Sequence, residues 1–146
     1  MRIALGADHA GFPGKEKLVA HLRQKGHRVV DVGTSSDESV DYPDFARLVA
    51  DRVARGDCRR GVLVCGTGIG MAIAANKVRG VRAAAAWSPE TARLAAEHND
   101  ANVLCLSGRL FSDRQRFAML DAWLSTPFGG GRHARRVRKI VAMEKK

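Results

Sequence analysis

The sequence lacks the features that mark membrane-spanning, secreted and metal-binding proteins. Its apolar runs, such as Ala83 to Trp87, are much too short to cross a bilayer. The N-terminal segment passes from Leu5 almost directly into Asp8 and His9, without the apolar region of a secretory signal. Only three cysteines occur among 146 residues, and no C-x₂-C or H-E-x-x-H spacing is present. These absences predict a cytoplasmic protein with reduced thiols and no metal site.

Aromatic and acidic residues are also scarce. Aromatics make up 5% of the chain. The chain has 15 acidic residues and 25 Lys and Arg residues, which gives a net charge of +10. Between residues 132 and 146 there are seven basic residues and one acid, Glu144. That concentration predicts an anionic partner: phosphate, nucleic acid or an acidic protein. A nucleic-acid-binding module is the less favoured alternative, since the basic segment has no interleaved aromatics for base stacking.

The pattern of apolar residues predicts alternating strands and helices. With 45% hydrophobic residues, the chain can bury the core of one domain over residues 1–146. Strands are predicted at residues 2–7, 28–32, 61–65, 81–86 and 102–106. Helical patterns follow each of them, and a further helix begins near Arg132. This order predicts a Rossmann-like, doubly wound α/β fold: a five-stranded parallel sheet with helices on both faces and an extra C-terminal helix.

In such a sheet, ligands bind beyond the carboxyl ends of the strands. Three polar segments are predicted at that edge: Asp8-His9, residues 65–70 and residues 107–109. Asp8 and His9 together suit proton transfer or the binding of a polar substrate. An Asx-type turn with a solvated histidine explains the same pair equally well.

The segment from Cys65 to Gly70 is the most informative. Its alternating glycines let the backbone approach a ligand and present several N–H groups, which favours an anion. It is not a P-loop, and Met71 stands where a dinucleotide fingerprint has its third glycine, which disfavours an NAD-linked redox protein. The alternative interpretation is a tight turn. Within the loop, Cys65 is either a base or nucleophile, or a small buried hydrophobe, and Thr67 either binds substrate or holds the turn.

Two further candidate groups lie elsewhere in the chain. His98 and Asn99 end a helix, so within one chain they are predicted at the opposite edge of the sheet from Cys65. They are either a helix C-cap or part of a site on another subunit. Arg132 and Arg136 share one helix face, where they either hold an anion or form a solvated basic surface.

Six short segments resemble the motifs of one enzyme family and occur in that family's order. They are Gly6-Ala7-Asp8-His9-Ala10-Gly11-Phe12, Asp41-Tyr42-Pro43, Cys65-Gly66-Thr67-Gly68-Ile69-Gly70, Ala74-Ala75-Asn76-Lys77, Glu97-His98-Asn99-Asp100-Ala101-Asn102 and Gly131-Arg132-His133. Over nearly its whole length the chain is similar to ribose-5-phosphate isomerase type B, whose wider family includes the galactose-6-phosphate isomerase subunits.

The resemblance implies an aldose-ketose isomerase of the pentose phosphate pathway. Its substrates would be ribose 5-phosphate and ribulose 5-phosphate, and it would need no metal or organic cofactor. It would form a homodimer or tetramer with sites shared between subunits. Isomerisation of a six-carbon sugar, galactose 6-phosphate or allose 6-phosphate, is the alternative, because the motifs do not separate these substrates.

The resemblance also implies roles for the matching residues. Cys65 matches the base that moves a proton between C1 and C2, and Thr67 matches its hydroxyl helper. His98 matches the residue that opens the sugar ring, with Asp8 nearby for the sugar hydroxyls. The amides of the loop would hold the enediolate; they belong to Gly66, Thr67, Gly68, Ile69 and Gly70. The other matches are substrate contacts at Tyr42 and Asn99, and phosphate ligands at His9, Arg109, Arg132 and Arg136.

Two features fall outside these motifs. Some members of the family use a glutamate in place of the cysteine base, but Met71 and Ile73 offer no such carboxylate, so the cysteine form is expected here. Trp87 and residues 125–130 match no motif, and we expect Trp87 to pack within the protein.

Overall fold

The computed structural model describes residues 1–144. Lys145 and Lys146, two of the seven basic residues near the C-terminus, lie outside the described residues. The strands are β1 (Arg2–Ala7), β2 (Arg28–Asp31), β3 (Arg60–Cys65), β4 (Ala83–Ala85) and β5 (Val103–Ser107). The helices are α1 (Phe12–Gln24), α2 (Tyr42–Ala54), α3 (Ile69–Ala75), α4 (Pro89–Asn99), α5 (Asp113–Ser125) and α6 (Arg132–Ala142).

The five strands form one parallel sheet in the order β2-β1-β3-β5-β4. The predicted doubly wound fold is confirmed. Ala7 is in register with Val64 and Cys65 with Ser107, so the ends of β1, β3 and β5 meet at one edge. The loops that follow these three strands therefore lie side by side.

Side-chain alternation along the strands creates two cores. On one face, Val62 and Val64 join the apolar side chains of α1, α4 and α5. On the other face, Leu63 and Cys65 join those of α2 and α3. Helix α6 contributes a single buried hydrophobic residue, Val137, and leaves most of its basic side chains exposed. Within residues 1–144, no helix combines the length and apolar character that a membrane crossing requires.

Two predictions near β4 need correction. The strand covers only three residues instead of six, because the Arg82 amide donates to Asn102 Oδ1 at 2.8 Å rather than to a neighbouring strand. Trp87 does not pack within the chain: its side chain is 67% exposed. It lies beyond the end of β4, where its amide donates to Thr91 Oγ1 at the start of α4.

The side chain of Asn76 binds the backbone of β4 on the side of the strand that no other strand pairs with. Asn76 Nδ2 donates to the Ala83 carbonyl at 2.9 Å, and the Ala83 N–H donates to Asn76 Oδ1 at 2.8 Å. These two bonds replace those of a further strand and protect the edge of the sheet from pairing with other chains. Asn76 belongs to one of the six motif segments, and this contact gives it a structural role.

We expect Asn76→Ala to lower the free energy of unfolding by about 1–2 kcal/mol, because it leaves both backbone groups of Ala83 without their partner. Urea denaturation followed by circular dichroism measures the change. The exposed neighbour Lys77 provides the control variant Lys77→Ala. Equal midpoints for the two variants would show that the contact with Ala83 contributes nothing.

Candidate active site

The carboxyl ends of β1 and β3 bring Asp8, His9 and Cys65 to the same edge. Asp8 is 7% exposed, and its Oδ1 accepts the Gly11 amide at 2.9 Å. The His9 ring accepts a hydrogen bond at Nδ1 from the Val40 amide at 3.2 Å. Because Nδ1 is the acceptor, the proton of the neutral ring is on Nε2. His9 therefore presents an N–H donor away from Val40.

Cys65 is the last residue of β3 and lies directly beneath the glycine loop. Its side chain faces the α2–α3 core and is 5% exposed. The amide of Gly68 donates to its Sγ at 3.2 Å. Gly68 has φ of +84°, a left-handed conformation that turns the loop back over the sulfur and that glycine adopts without strain. The loop backbone and the sulfur are thus held together.

Thr67 is exposed at the top of this loop, and its Oγ1 accepts the Ile69 amide at 3.2 Å. The hydroxyl therefore stabilises the turn, which is one of the two interpretations of the sequence. Its own proton is left available to an outside acceptor. The first turn of α3 adds amide groups that have no acceptor within the helix.

Tyr42 and Arg109 border the loop on two sides. A Cβ at Gly70 would lie 2.5 Å from Tyr42 Cε1, so the ring packs directly on the glycine backbone. A Cβ at Gly66 would lie 3.2 Å from Arg109 Nη1. The glycines at these positions allow an aromatic ring and a guanidinium group to approach the main chain. The loop thus combines backbone amides with a cation and an aromatic ring.

The segment after β5 is joined to the glycine loop by three hydrogen bonds. Ser107 Oγ donates to the Gly66 carbonyl at 2.6 Å, and the amides of Gly108 and Arg109 donate to the carbonyls of Cys65 and Gly66 at 2.7 and 3.2 Å. Ser107 is fully buried, and sequence reasoning gave it no role. Its position directly after the predicted strand 102–106 on this edge was the signal that could have identified it.

The remaining predicted residues gather at the opposite edge of the sheet. His98 and Asn99 end α4, and Arg132 begins α6, with Arg136 one turn further along. The two helices meet through the rings of His98 and His133, which stack with centroids 4.1 Å apart. His133 was part of a motif segment but received no role from the sequence, because nothing local indicates that stacking.

The environment of His133 disfavours its protonated form. Desolvation lowers its pKa, the neighbouring His98, Arg132 and Arg136 lower it further, and Glu97 raises it. The cluster of His98, His133, Arg132 and Arg136 therefore combines ring nitrogens, which can exchange protons, with cations that suit an anion.

One chain does not bring its two groups of predicted residues together. Gly61 is in register with Val103, and Cys65 with Ser107, so β5 advances by four residues between the two edges. At about 3.3 Å per residue, this separates the edges by about 13 Å. Asn99 instead lines a surface cavity of about 600 Å³ beside β4, with Lys77, Arg82 and Ile140 of α6. Each chain therefore holds the predicted site residues in two separate groups.

A sequence profile of the family described as Ribose/Galactose Isomerase matches residues 3–140. The chain belongs to the ribose/galactose isomerase family.

Relatives of known sequence and structure support this membership. The Escherichia coli K12 protein named ribose-5-phosphate isomerase B is 46% identical over 99% of this chain and 97% of that protein. A solved ribose-5-phosphate isomerase B from Clostridium thermocellum is 47% identical, with a TM-score of 0.97 over 98% of this chain and 97% of that one. The Mycoplasma genitalium enzyme, solved with bound ribulose-5-phosphate, is 47% identical, with a TM-score of 0.95 over 99% of this chain and 97% of that one.

In this member of the ribose/galactose isomerase family, the other two cysteines lie in the core. Cys58 and Cys105 are almost completely buried, and burial raises the pKa of each thiol. All three cysteines are unpaired. Between residues 1 and 144, no three His, Cys, Asp or Glu side chains are grouped so that they could hold a metal ion.

Proposed function

We propose that this protein interconverts ribose 5-phosphate and ribulose 5-phosphate, a step of the pentose phosphate pathway, by proton transfer through an enediolate. The observation that carries the proposal is the Cys65 sulfur held 3.2 Å from the Gly68 amide, beneath a loop of backbone donors. The family membership and the relative with bound ribulose-5-phosphate support it.

The proton transfer requires a base and a stabiliser of negative charge. A proton next to a carbonyl is weakly acidic, so the enediolate must be stabilised as it forms. Cys65 removes the proton from C2 of the open-chain aldose and returns it to C1. The proton of the C2 hydroxyl passes to the C1 oxygen, so that the C1 carbonyl becomes a hydroxyl and the C2 hydroxyl becomes a carbonyl. The resemblance assigns all five loop amides to the enediolate, but those of Gly68 and Ile69 already donate to Cys65 Sγ and Thr67 Oγ1. In the proposal, the amides of Gly66, Thr67 and Gly70 and the Thr67 hydroxyl donate to the enediolate oxygens. Losing one fixed donor of this kind typically costs about 3 kcal/mol, because such donors are oriented before the reaction begins.

Ribose 5-phosphate is mostly cyclic in water, so the ring must open first. In the proposal, His98 transfers the proton that opens the furanose ring, and Asp8 accepts hydrogen bonds from the sugar hydroxyls. Tyr42 packs along the sugar beside Gly70, and Asn99 contacts the substrate as well. The phosphate binds to His9, Arg109, Arg132 and Arg136, whose donors suit a doubly charged anion.

This assignment requires two copies of the chain. The partial site of Cys65 and the partial site of His98 lie at opposite edges, about 13 Å apart within one chain. Helix α3, which begins at the glycine loop, exposes Ile69 and Ile73 one turn apart, with 58% and 61% of each residue accessible. We propose a homodimer, or a tetramer of two dimers, in which a second copy covers this apolar face and completes the site.

The cytoplasm is the proposed compartment, on the ground of the three unpaired thiols. The proposed reaction uses the side chains and amides of the protein, with no metal or organic cofactor. The phosphorylated sugar is the proposed partner, and nucleic acid is not.

We expect Arg136→Ala to raise KM for ribose 5-phosphate by about 10- to 100-fold, because it removes a charge-assisted hydrogen bond of about 1.5–3 kcal/mol to the phosphate. Steady-state kinetics measures the change. Arg135→Ala removes the same charge from the adjacent, exposed position and is the control. An unchanged KM in Arg136→Ala would contradict the phosphate role.

The proposed function is tested by comparing turnover of ribose 5-phosphate, allose 6-phosphate and galactose 6-phosphate in the presence of a chelator. We expect the pentose phosphate to have the highest kcat/KM and the chelator to have no effect. A higher kcat/KM on either hexose phosphate would overturn the choice of substrate. Salt-dependent RNA binding without isomerase activity would overturn the reaction class.

A further inference from the structure

Arg116 is a buried cation on α5, directly behind the segment that carries Arg109. Its side chain is almost completely inaccessible. Nη1 donates to the carbonyls of Ser107 at 3.1 Å and Gly108 at 3.3 Å, and also to that of Phe111. Nη2 donates to Asp113 Oδ1 at 2.6 Å. One guanidinium group thus binds both ends of residues 107–111.

The position of Arg116 is costly for an arginine. A buried charge loses its hydration, and a cation in the early part of α5 opposes the helix dipole. The Asp113 carboxylate and the three carbonyls offset this cost. Nε is buried without a hydrogen-bond partner among the described residues. Gly14 of α1 covers it, because a Cβ there would lie 3.0 Å from Nε.

The segment that Arg116 binds is also part of the candidate active site. On its other side, the amides of Gly108 and Arg109 bind the carbonyls of Cys65 and Gly66. The Arg109 guanidinium extends from this segment to Gly66. The segment is therefore held between a buried arginine and the glycine loop, and the orientation of Arg109 depends on both.

We infer that Arg116 is a positioning residue for substrate phosphate: it holds residues 107–111 so that Arg109 faces the phosphate beside the glycine loop. The inference rests on the proposed function for the identity of the anion. The planar guanidinium group directs the two N–H groups of Nη1 at the three carbonyls, one of them shared, and Nη2 at the Asp113 carboxylate, an arrangement of fixed directions that an ammonium group does not have. Without the Arg116 guanidinium, the three carbonyls lose their hydrogen-bond donor and residues 107–111 shift. The Arg109 side chain is then no longer oriented toward the phosphate.

The test combines Arg116→Met with Arg109→Ala. Methionine keeps most of the side-chain volume and removes every donor. We expect Arg116→Met to raise KM for ribose 5-phosphate about 10-fold, with kcat changed by less than about threefold, and Arg116→Lys to recover part of the loss. In the Arg109→Ala background, Arg116→Met should change KM by less than about twofold, since residues that act through one another are not additive. Arg114→Met, an exposed cation on the same helix, is the control.

Three results would overturn the inference: an unchanged KM in Arg116→Met, a fall in kcat alone, or the full 10-fold effect persisting without Arg109. If Arg116→Met does not fold, Asp113→Asn weakens the same arrangement and should raise KM about threefold, and an unchanged KM there would also overturn the inference.

Calorimetric titration with inorganic phosphate separates this inference from the proposed function. Arg116→Met should weaken phosphate binding about 10-fold whichever sugar phosphate the enzyme prefers, and unchanged phosphate affinity would count against the inference.

Discussion

Replacing Cys65 with alanine should lower kcat on ribose 5-phosphate by about a hundredfold to ten-thousandfold, the range over which a positioned acid or base contributes. Alanine removes the only thiol at the glycine loop and, with it, the acceptor of the Gly68 amide. Little else changes, because the site is the end of a strand and the side chain is small. The loop should persist, since Gly108 and Ser107 still bind the carbonyls of Cys65 and Gly66. The phosphate ligands are untouched, so the affinity for phosphate should be retained.

Steady-state kinetics measures the loss of kcat, and calorimetric titration with inorganic phosphate measures the retained affinity for phosphate. Cys58→Ala is the matched control, because it removes a buried thiol from the same core, away from the loop. It should keep kcat within about twofold. A Cys65→Ala protein with near wild-type turnover would remove the sulfur from the mechanism, and loss of phosphate binding along with activity would indicate a collapsed loop.

His98→Ala should also be nearly inactive on the cyclic substrate, and mixing it with Cys65→Ala should restore activity. In a dimer with shared sites, each site takes Cys65 from one chain and His98 from the other. A mixed dimer of the two variants has one site with both residues intact and one with neither. Random exchange of subunits should therefore recover about 25% of wild-type activity from two inactive proteins.

The control mixture is Cys65→Ala with Arg109→Ala. These two residues belong to the same partial site, so no pairing of the chains restores an intact one. Native mass spectrometry of differently tagged chains establishes that mixed dimers have formed. If they have formed and the Cys65→Ala and His98→Ala mixture stays inactive, each site lies within one chain and the proposed assembly is wrong.

Much of the fold was predictable because its signals are local. The apolar segments 2–7, 61–65 and 102–106 are nearly the observed strands, since short buried strands of a parallel sheet must be apolar on both faces. Errors occurred where a distant side chain intervened. Strand β4 is shorter than its apolar run because Asn102 takes the Arg82 amide, and Trp87 is exposed because the sheet ends before it.

The features of the candidate site also fall into those that a local sequence signal predicts and those that depend on contacts between distant segments. Alternating glycines after a strand predicted a backbone that a ligand can approach, and the direction of α4 predicted that His98 lies at the opposite edge. No local signal showed that His133 stacks on His98 or that Arg116 binds residues 107–111. Both contacts join segments whose arrangement depends on how the helices pack.

The sequence by itself determined the order of strands and helices and the edge of the sheet at which Cys65 meets the glycine loop, and its six motif segments resemble one family. The order and the edge depend on apolar periodicity, on the backbone freedom of glycine and on strand direction, which are properties of neighbouring residues. Only the tertiary structure decided which side chains touch across the core: Tyr42 on Gly70, Ser107 on Gly66, and Arg116 behind Arg109. Such contacts depend on the packing of distant segments, because close packing sets side-chain distances that no single segment encodes.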